Sequence, residues 1–570
     1  MAAGRHFAAE AGLRMLARGG NAIDAGVAAT FAAAVSEISH FGLGGEAPII
    51  VYLADRKETV VINGQGVAPA AAVPARFPLP AGIPANGPSA GTVPAVVDAL
   101  AIGLARYGTL TLGDVLAPAI ELADGFVWYE FLTDTLKIHL AAMQASPSGA
   151  RVYLQGPGGT IPPAGSVFRQ PELAATLRAL VEEERRHAGR GRGAAIEAAR
   201  DRFYRGDIGA RIARAVQQAG GLLTADDLAR YRGRTEAPLR RTFTTRHGRF
   251  EVLKAGFWSQ GPMLLQALAI LEPLDLERLG HNSPEYIHTV TEALKLALAD
   301  RDEHYGDPDF ARVPGAVLLS DAYAAARRAS IDPGAARNLP TPGDPSRFER
   351  GARAPRPRPV TATASSVARE RTASPDTTCV DVVDARGNLF SAAPSSGWFF
   401  GGTFIAGDTG VPLGNRMQAF VLDPTSPNVV APGKRPRTTL SPTVVLRDGK
   451  PWLALSSPGG DSQDQQALQV FLNLAVFGMT PQSAIEAPRF NSLQYQETFG
   501  GHRLVMAGGL EVEDRIPADV RAELQLLGHK VVPLGAFMMD TGTVIAGFDA
   551  DHGTVFGAAD VRRQRFVTGW

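Results

Sequence analysis

Residues 374–388, SPDTTCVDVVDARGN, mark the point where two kinds of sequence meet. Up to Asp376 the chain is rich in proline and arginine and has no hydrophobic period. From Thr377 to Val383 it reads as a buried strand, closed by the turn DARGN. The residue at the junction is a threonine, which is a poor nucleophile unless a base lies beside it. At a chain terminus the α-amine is that base, with an ordinary pKa near 7.7–8.0, whereas the same nitrogen in a peptide bond has no useful basicity. A cut before Thr377 would therefore create a nucleophile with its own base. A Thr-Thr pair that simply opens a strand is the other reading, and the residues alone leave both open.

Upstream of the junction, residues 332–376 carry few large hydrophobic side chains and cannot bury enough surface to offset the entropy of ordering them. This segment is expected to be mobile. Before it, helical patterns run over Phe7–Ala17, from Asn21 to about Val35, over Ala95–Tyr107, and through SPEYIHTVTEALKLALAD. In the last of these Ser283 is placed to cap, and Ile287, Val290, Leu294 and Leu298 form one apolar face. Ile49–Leu53 and Thr59–Asn63 read as a hairpin around a charged turn. Downstream of the junction, SPTVVLRDGKPWLALSSPGG is a hairpin, SQDQQALQVFLNLAVFG a helix and GTVIAGFDADHGTVFGAAD another hairpin. Strands and helices mix without a strict βαβ alternation, which favours sheets layered with helices over a doubly wound parallel sheet.

Composition narrows the function. Lys+Arg and Asp+Glu both number 57, and no basic stretch interleaved with aromatics suggests a nucleic-acid groove. Cys379 is the only cysteine, so an intrachain disulfide or a cysteine-built zinc site is excluded; it is read as a small buried packing residue. No apolar run reaches the roughly 20 residues of a membrane span, and the first residues lack the apolar core of a secretory signal, so a cytoplasmic location is expected. The pattern G-x-S-x-G occurs at Gly87–Gly91, but it follows PLPAGIPANG rather than a strand and is read as a loop before a helix. Gly42, Gly44 and Gly45 fall short of a dinucleotide fingerprint, and no Walker A or HExxH sequence is present, so no cofactor is expected. The acidic DRDEHYGDPDF, 300–310, is read as a helix end and proline turn rather than a cation site.

An ordered set of segments changes the weight of the threonine reading. GGNAIDAGVAA, FGLGGEAPIIVY, AGTVPAVVDAL, LAPAIELADGF, FYRGDIGARIARAVQQAGGLLTADDLARY and GDPDF are followed by TTCVDVVDARGN, KRPRTTLSPTVV, SPGG, APRF and GAADVRRQRFVTGW. In this order, over nearly the whole length, the chain resembles the γ-glutamyltransferase family of N-terminal-nucleophile hydrolases. The resemblance implies an α+β fold, a four-layer αββα sandwich. It also implies self-cleavage between Asp376 and Thr377. The products would be a large subunit, residues 1–376, and a small one, 377–570, held together as a heterodimer, with further pairing left open. Thr377 would be the nucleophile, Gly459 and Gly460 the oxyanion-hole pair, and Ser395 the hydroxyl that hydrogen-bonds the nucleophile.

The resemblance breaks at the substrate contacts. Where the family has the arginine and glutamate of a GRE motif, this chain has Gln65 and Gly66. An asparagine of the family becomes Gly397, and NNQMDDF becomes GNRMQAF, which places Asn415 and Arg416 in the stretch and Ala419 where an acid is expected. A serine pair becomes Thr438 and Thr439. A cation where an ammonium should bind would repel a γ-glutamyl donor. The pattern is closer to the family's divergent amidohydrolases, such as oxamate amidohydrolase and the cephalosporin acylases. The expected activity is hydrolysis of a small amide, with water as acceptor. A genuine γ-glutamyltransferase and an uncleaved, non-catalytic homologue are the alternatives. Arg416 is expected either to receive an anionic group of the substrate or to pair with a neighbouring acid such as Asp461.

Overall fold

Side-chain alternation along the strands decides how the layers stack. Ile49 and Val51 point into one apolar cluster with the N-terminal helices, while Ile50 and Tyr52, one residue out of phase, enter a second cluster between two sheets. Lys450–Ser456 repeats the pattern from the other side: Leu453 and Leu455 face a separate set of helices, and Ala454 faces the middle. In the computed structural model, which describes residues 1–349, 377–397 and 400–570, these alternations produce four layers: helices, sheet, sheet, helices. Full burial of one Val, Leu or Phe side chain contributes about 1.5–3 kcal/mol, so the double-faced strands are where the layer order is enforced.

The first sheet has seven strands in the order Phe566–Val567, Ala2–Ala3, Val380–Val383, Leu389–Ala392, Ile49–Leu53, Glu58–Ile62 and Thr235–Glu236. The second has six: Thr554–Ala559, Val544–Asp549, Lys450–Ser456, Thr443–Arg447, Gly248–Lys254 and Leu239–Thr245. All pairings within these two sheets are antiparallel. Val380–Val383 is interior to the first sheet, with Val380 opposite both Ala3 and Ala392. The helices His6–Ala17, Ala22–Ser36, Val96–Tyr107, Leu112–Asp124 and Pro171–Arg186 cover one outer face, and Pro262–Leu271, Pro284–His304 and Gln463–Ala475 the other. Among the described residues no helix is long and apolar enough to cross a membrane.

Local signals read from sequence are realised in detail. Asn21 caps its helix by accepting from the Ile23 and Asp24 N–H groups, while Asp24 accepts from the Asn21 N–H. Residues 87–91 lie in a loop ahead of the helix Val96–Tyr107, and Cys379 is buried against Ala2 and Val544. Asp300 pairs with Arg327 and Asp307 with Arg435, so the acidic run is neutralised within the chain. One expectation is corrected in degree: the helix Pro284–His304 buries every residue from Val290 to Arg301, not a single face.

The first part of the segment expected to be mobile makes specific contacts with the rest of the chain. Residues 332–349 are held by polar anchors: the Ala336 N–H donates to the Leu527 carbonyl (2.7 Å), Gly343 N–H to Asp300 (2.7 Å), and Lys295 Nζ to the Arg337 carbonyl (2.9 Å). A buried chain of donors completes the attachment. Lys295 donates to Glu292 (2.8 Å) and to His529 Nδ1 (3.4 Å); His529 Nε2 then donates to His288 Nδ1 (2.9 Å), and His288 Nε2 to the Asp332 carbonyl (2.8 Å). This tautomer assignment satisfies every ring nitrogen. It leaves His529 neutral, in keeping with a pKa that burial, Lys295 and His288 push down to about 3. His288, Glu292 and His529 are close enough together to surround a cation, yet both imidazoles already have protein partners at each nitrogen. Composition missed the attachment because buried polar partners on distant elements, not apolar side chains, make it. The remainder of the stretch, including Asp376 and the expected cleavage point, lies outside the described residues.

Candidate active site

Thr377 stands three residues before the ladder of Val380–Val383, and the strand's hydrogen bonds begin one residue after it, where the Thr378 N–H donates to the Pro394 carbonyl (3.0 Å). Thr377 is 2% exposed. Its hydroxyl meets Gln463, the first residue of the helix Gln463–Ala475, at 3.0 Å. The amide orientation that satisfies both ends has Gln463 Nε2 donating to the carbonyls of Thr439 (2.9 Å) and Ser457 (3.2 Å), and Oε1 accepting from the Thr377 hydroxyl. Gln463 thus joins the threonine to the strand end, to the Thr438-Thr439 segment and to the helix start.

Immediately before that helix lie Gly459 and Gly460. Gly459 has φ +114°, and a Cβ there would sit 2.6 Å from the Asp540 carbonyl oxygen and 2.6 Å from Ser462 Oγ. Only glycine takes this turn without strain. The turn puts two backbone N–H groups at the start of a helix, where they carry partial positive charge and can face an anion. Among the described residues neither N–H donates to a carbonyl or side chain, an uncommon state for buried backbone donors. The Gly459 carbonyl accepts from Ser462 N (3.1 Å) and Ser462 Oγ (2.7 Å), and that of Gly460 from Gln260 Nε2 (3.1 Å), which fixes the peptide planes.

Two buried polar contacts hold this region: one ties the threonine strand to the strand before Gly459, the other ties the helix start to the second sheet. Asp381 accepts from Ser456 Oγ at 2.5 Å across the gap between the sheets, tying the strand of Thr377 to the strand that leads into Gly459. Burial pushes the Asp381 carboxyl up to about 7 against the pull of its serine hydrogen bonds. Lys254 pairs with Asp464 at 2.7 Å, both fully buried, and also donates to Thr443 Oγ1 and the Ser441 carbonyl. Burial lowers the Lys254 pKa while Asp464 opposes the shift. Loss of one partner of such a pair costs about 3–5 kcal/mol because the other charge is left buried.

Next to Pro394 in the chain, the Ser395 N–H donates to the Glu46 carbonyl (3.0 Å), and Ser395 Oγ accepts from the Gly397 N–H (2.9 Å). Gly397 has φ +96°, and Asn415 Oδ1 lies 2.2 Å from where its Cβ would be, so the side chain that the family pattern places there has no room. Asn415 Nδ2 donates to the Ala85 carbonyl (3.0 Å). Thr438 Oγ1 accepts from the Leu440 N–H (3.2 Å), and Thr439 contributes its carbonyl to Gln463. Gln65 is buried, and neither of its amide atoms has a hydrogen-bond partner among the described residues.

Arg416 does not pair with Asp461. Asp461 is taken by Arg301 (2.6 Å) and by the backbone and hydroxyl of Thr498. The partner of Arg416 is Glu46, through Nε at 3.1 Å, with the guanidinium 4.9 Å from the Phe499 ring centroid. Glu46 also accepts from Thr92 Oγ1 (3.0 Å), and burial raises its pKa while Arg416 lowers it. Sequence reasoning passed over Gln463, Glu46 and Asp381. The first had a visible signal, a polar helix start directly after the glycine pair; the other two had none, because their partners are 370 and 75 residues away. A cavity of about 530 Å³ lined by Met1, Leu16, Asp384, Arg386 and Trp570 lies beyond the Val383 end of the strand, away from Thr377.

Comparison with known proteins matches a family model described as gamma-glutamyltranspeptidase to residues 8–570. The glutathione hydrolase proenzyme of Escherichia coli is 31% identical over 97% of this chain and 89% of its own length. The oxamate amidohydrolase proenzyme of Klebsiella pneumoniae is 30% identical over 99% and 97%. Among solved structures, LmbA2991HD superposes with a TM-score of 0.89 at 35% identity, over 100% of this chain and 97% of that one. Cephalosporin acylase from Bacillus halodurans does so with a TM-score of 0.83 at 27% identity, over 100% and 95%.

Proposed function

The chain belongs to the gamma-glutamyltranspeptidase family, and on that premise we propose that it is an amidohydrolase that cuts itself before Thr377 and then uses Thr377 as nucleophile. The observation that carries the proposal is the meeting of the Thr377 hydroxyl with Gln463 at the mouth of a glycine turn whose N–H groups have no acceptor among the described residues. The names of its relatives, proenzymes that include a glutathione hydrolase and an oxamate amidohydrolase, support processing and amide chemistry.

In this mechanism the freed α-amine of Thr377 takes the hydroxyl proton as Oγ1 attacks the amide carbonyl. The negative charge that develops on the carbonyl oxygen falls to the Gly459 and Gly460 N–H groups. The α-ammonium returns its proton to the departing amine, leaving an acyl-threonine ester. Water, deprotonated by the same amine, attacks the ester and releases the acid. Ser395 contributes a hydroxyl on the adjacent strand. No cofactor takes part. A γ-glutamyl donor is disfavoured, because its α-ammonium would approach Arg416.

A denaturing gel of the purified protein tests the cut. Bands of about 40 and 20 kDa, scaled from 60.1 kDa by residue count, are expected, with N-terminal sequencing of the smaller one reading TTCVDV. A single full-length band in protein that hydrolyses amides would rule out the α-amine as base. Assay with a γ-glutamyl-anilide separates this reading from a γ-glutamyltransferase; little turnover is expected.

Gln463 acts here as a positioning residue, holding the hydroxyl by its lone pair. Gln463→Leu is expected to lower kcat by about 10- to 100-fold with little change in KM, since one hydrogen bond to a reacting group is lost. Gln463→Glu, which keeps an acceptor for the hydroxyl, is expected to recover part of the loss. Equal KM increases in both variants, with kcat unmoved, would assign Gln463 to substrate binding instead.

A further inference from the structure

Arg301 lies on the helix Pro284–His304, and its side chain is fully buried. Its N–H groups make five hydrogen bonds. Nε (2.9 Å) and Nη2 (2.7 Å) donate to Asp302 Oδ1, Nη2 also to the Gln496 carbonyl (3.0 Å), and Nη1 to Asp461 Oδ1 (2.6 Å) and Gln260 Oε1 (2.9 Å). Burial acts to lower the Arg301 pKa, but Asp302 and Asp461 outweigh it and raise the pKa, so the charge is retained. A planar fork with its five donors engaged is held in one orientation.

Both partners of Nη1 lead to the glycine turn. Gln260 donates through Nε2 to the Gly460 carbonyl (3.1 Å), and Asp461 is the residue after Gly460. The second oxygen of Asp461 accepts from the Thr498 N–H (3.1 Å), so the carboxylate is gripped from two sides. The peptide between Gly460 and Asp461 is therefore fixed at its carbonyl and by the side chain that follows it, while Ser462 fixes the peptide before Gly460. Gly460, with φ +57°, sits between two set planes, and its N–H has one direction. Gln260 also joins the turn to the surroundings of the nucleophile. Its N–H donates to the Thr438 carbonyl (2.8 Å), and the next carbonyl, that of Thr439, accepts from Gln463.

Resting on the amidohydrolase reading above, we propose that Arg301 is a positioning residue for the oxyanion site: acting through Gln260 and Asp461, it fixes the direction in which the Gly460 N–H meets the charge on the attacked carbonyl oxygen. Donors of this kind stabilise a transition state because they are aimed before the reaction begins and need no reorganisation during it. The uncharged carbonyl of the ground state gains little from the same aim. Loss of the support therefore falls on kcat rather than on KM.

The test compares Gln260→Met, Asp461→Asn and the double variant with wild type. Gln260→Met removes the donor to Gly460 and leaves Arg301 paired with both acids; Asp461→Asn keeps one oxygen for Arg301 and removes the charge. Each single variant is expected to lower kcat by about 10-fold with KM changed by less than about twofold. Because both act through one guanidinium, the double variant is expected to lose less than the product of the single losses. An alkylboronic acid gives a readout specific to the turn. Boron accepts a lone pair of Thr377 Oγ1, the hydroxyl proton passes to the α-amine, and the tetrahedral adduct carries the negative charge; its affinity is expected to fall in step with kcat in each variant. Melting curves and the fraction cleaved are measured on the same samples, and Asp461→Asn, the milder change, carries the test if Gln260→Met does not fold. Folded, cleaved variants with wild-type kcat and boronate affinity overturn the proposal, as does a loss confined to KM. Wild-type protein that stays uncut or hydrolyses no amide overturns the amidohydrolase reading and this inference with it. The wild type alone reports that failure, whereas failure of the Arg301 proposal is read from the variants of an active, processed enzyme.

Discussion

Thr377→Ala is expected to run as a single band at 60.1 kDa and to hydrolyse no amide above background. Both results have one cause. The hydroxyl that attacks substrate is proposed to be the hydroxyl that attacks the carbonyl of Asp376, so alanine removes cleavage and catalysis together. Loss of a covalent nucleophile costs on the order of 10⁴-fold or more in kcat. Thr377→Ser keeps the oxygen and is expected to process more slowly yet still yield two chains. It loses the methyl group that restricts the side-chain rotamer, so its kcat is expected to fall by about 10-fold. The variant pair separates chemistry from folding: Thr377→Ser keeps the hydroxyl that meets Gln463, and Thr377→Ala keeps the backbone carbonyl that accepts from Arg565, so the melting curves of both are measured beside their activities. An alanine variant that still appears as two bands places the nucleophile elsewhere.

The second large effect is expected at Gly459. Alanine there must adopt φ near +114° and bring a methyl group to 2.6 Å from the Asp540 carbonyl oxygen. Backbone in that region costs a non-glycine residue about 1–3 kcal/mol, and relief comes only by rotating the peptide planes on either side. Those planes carry the N–H groups proposed to receive the developing oxyanion. Loss or misdirection of one such donor lowers kcat by about 10²–10³-fold. Gly459→Ala is therefore expected to show a kcat loss of that size, a melting temperature lower by several degrees, and a nearly unchanged KM. Since the variant could lose activity by unfolding, its melting curve and the fraction cleaved are measured on the same sample. A folded, cleaved Gly459→Ala protein with wild-type kcat would remove the glycine turn from the mechanism.

How far the sequence reaches can be seen from individual residues. Helices and strands with local signals were legible: the helix start near Asn21, the Ser283 cap, and the hairpin Ile49–Ile62 follow from residue types within a few positions of one another. The αββα layering was legible through resemblance, and its physical cause lies in the alternation at Ile49–Tyr52 and Leu453–Leu455. The carboxylate partner of Arg416 was not legible. Asp461 is nearer in sequence, but Glu46 shares a bridge with Ser395 and so reaches the guanidinium first. Composition also gave no sign of the contacts that residues 332–349 make with Lys295, His288 and Asp300, side chains on a helix more than 30 residues upstream.

By itself the sequence determined that a threonine stands just ahead of a buried strand and directly after a segment poor in apolar residues, and that a glycine pair precedes a helix farther on; both are matters of order along the chain. Only the tertiary structure decided what touches that threonine and what neutralises the buried arginine. The reason is distance: Gln463 is 86 residues from Thr377 and Glu46 is 370 from Arg416. Contacts at such separations are selected by strand register and by the requirement that buried charges find partners, and neither leaves a mark in local spacing.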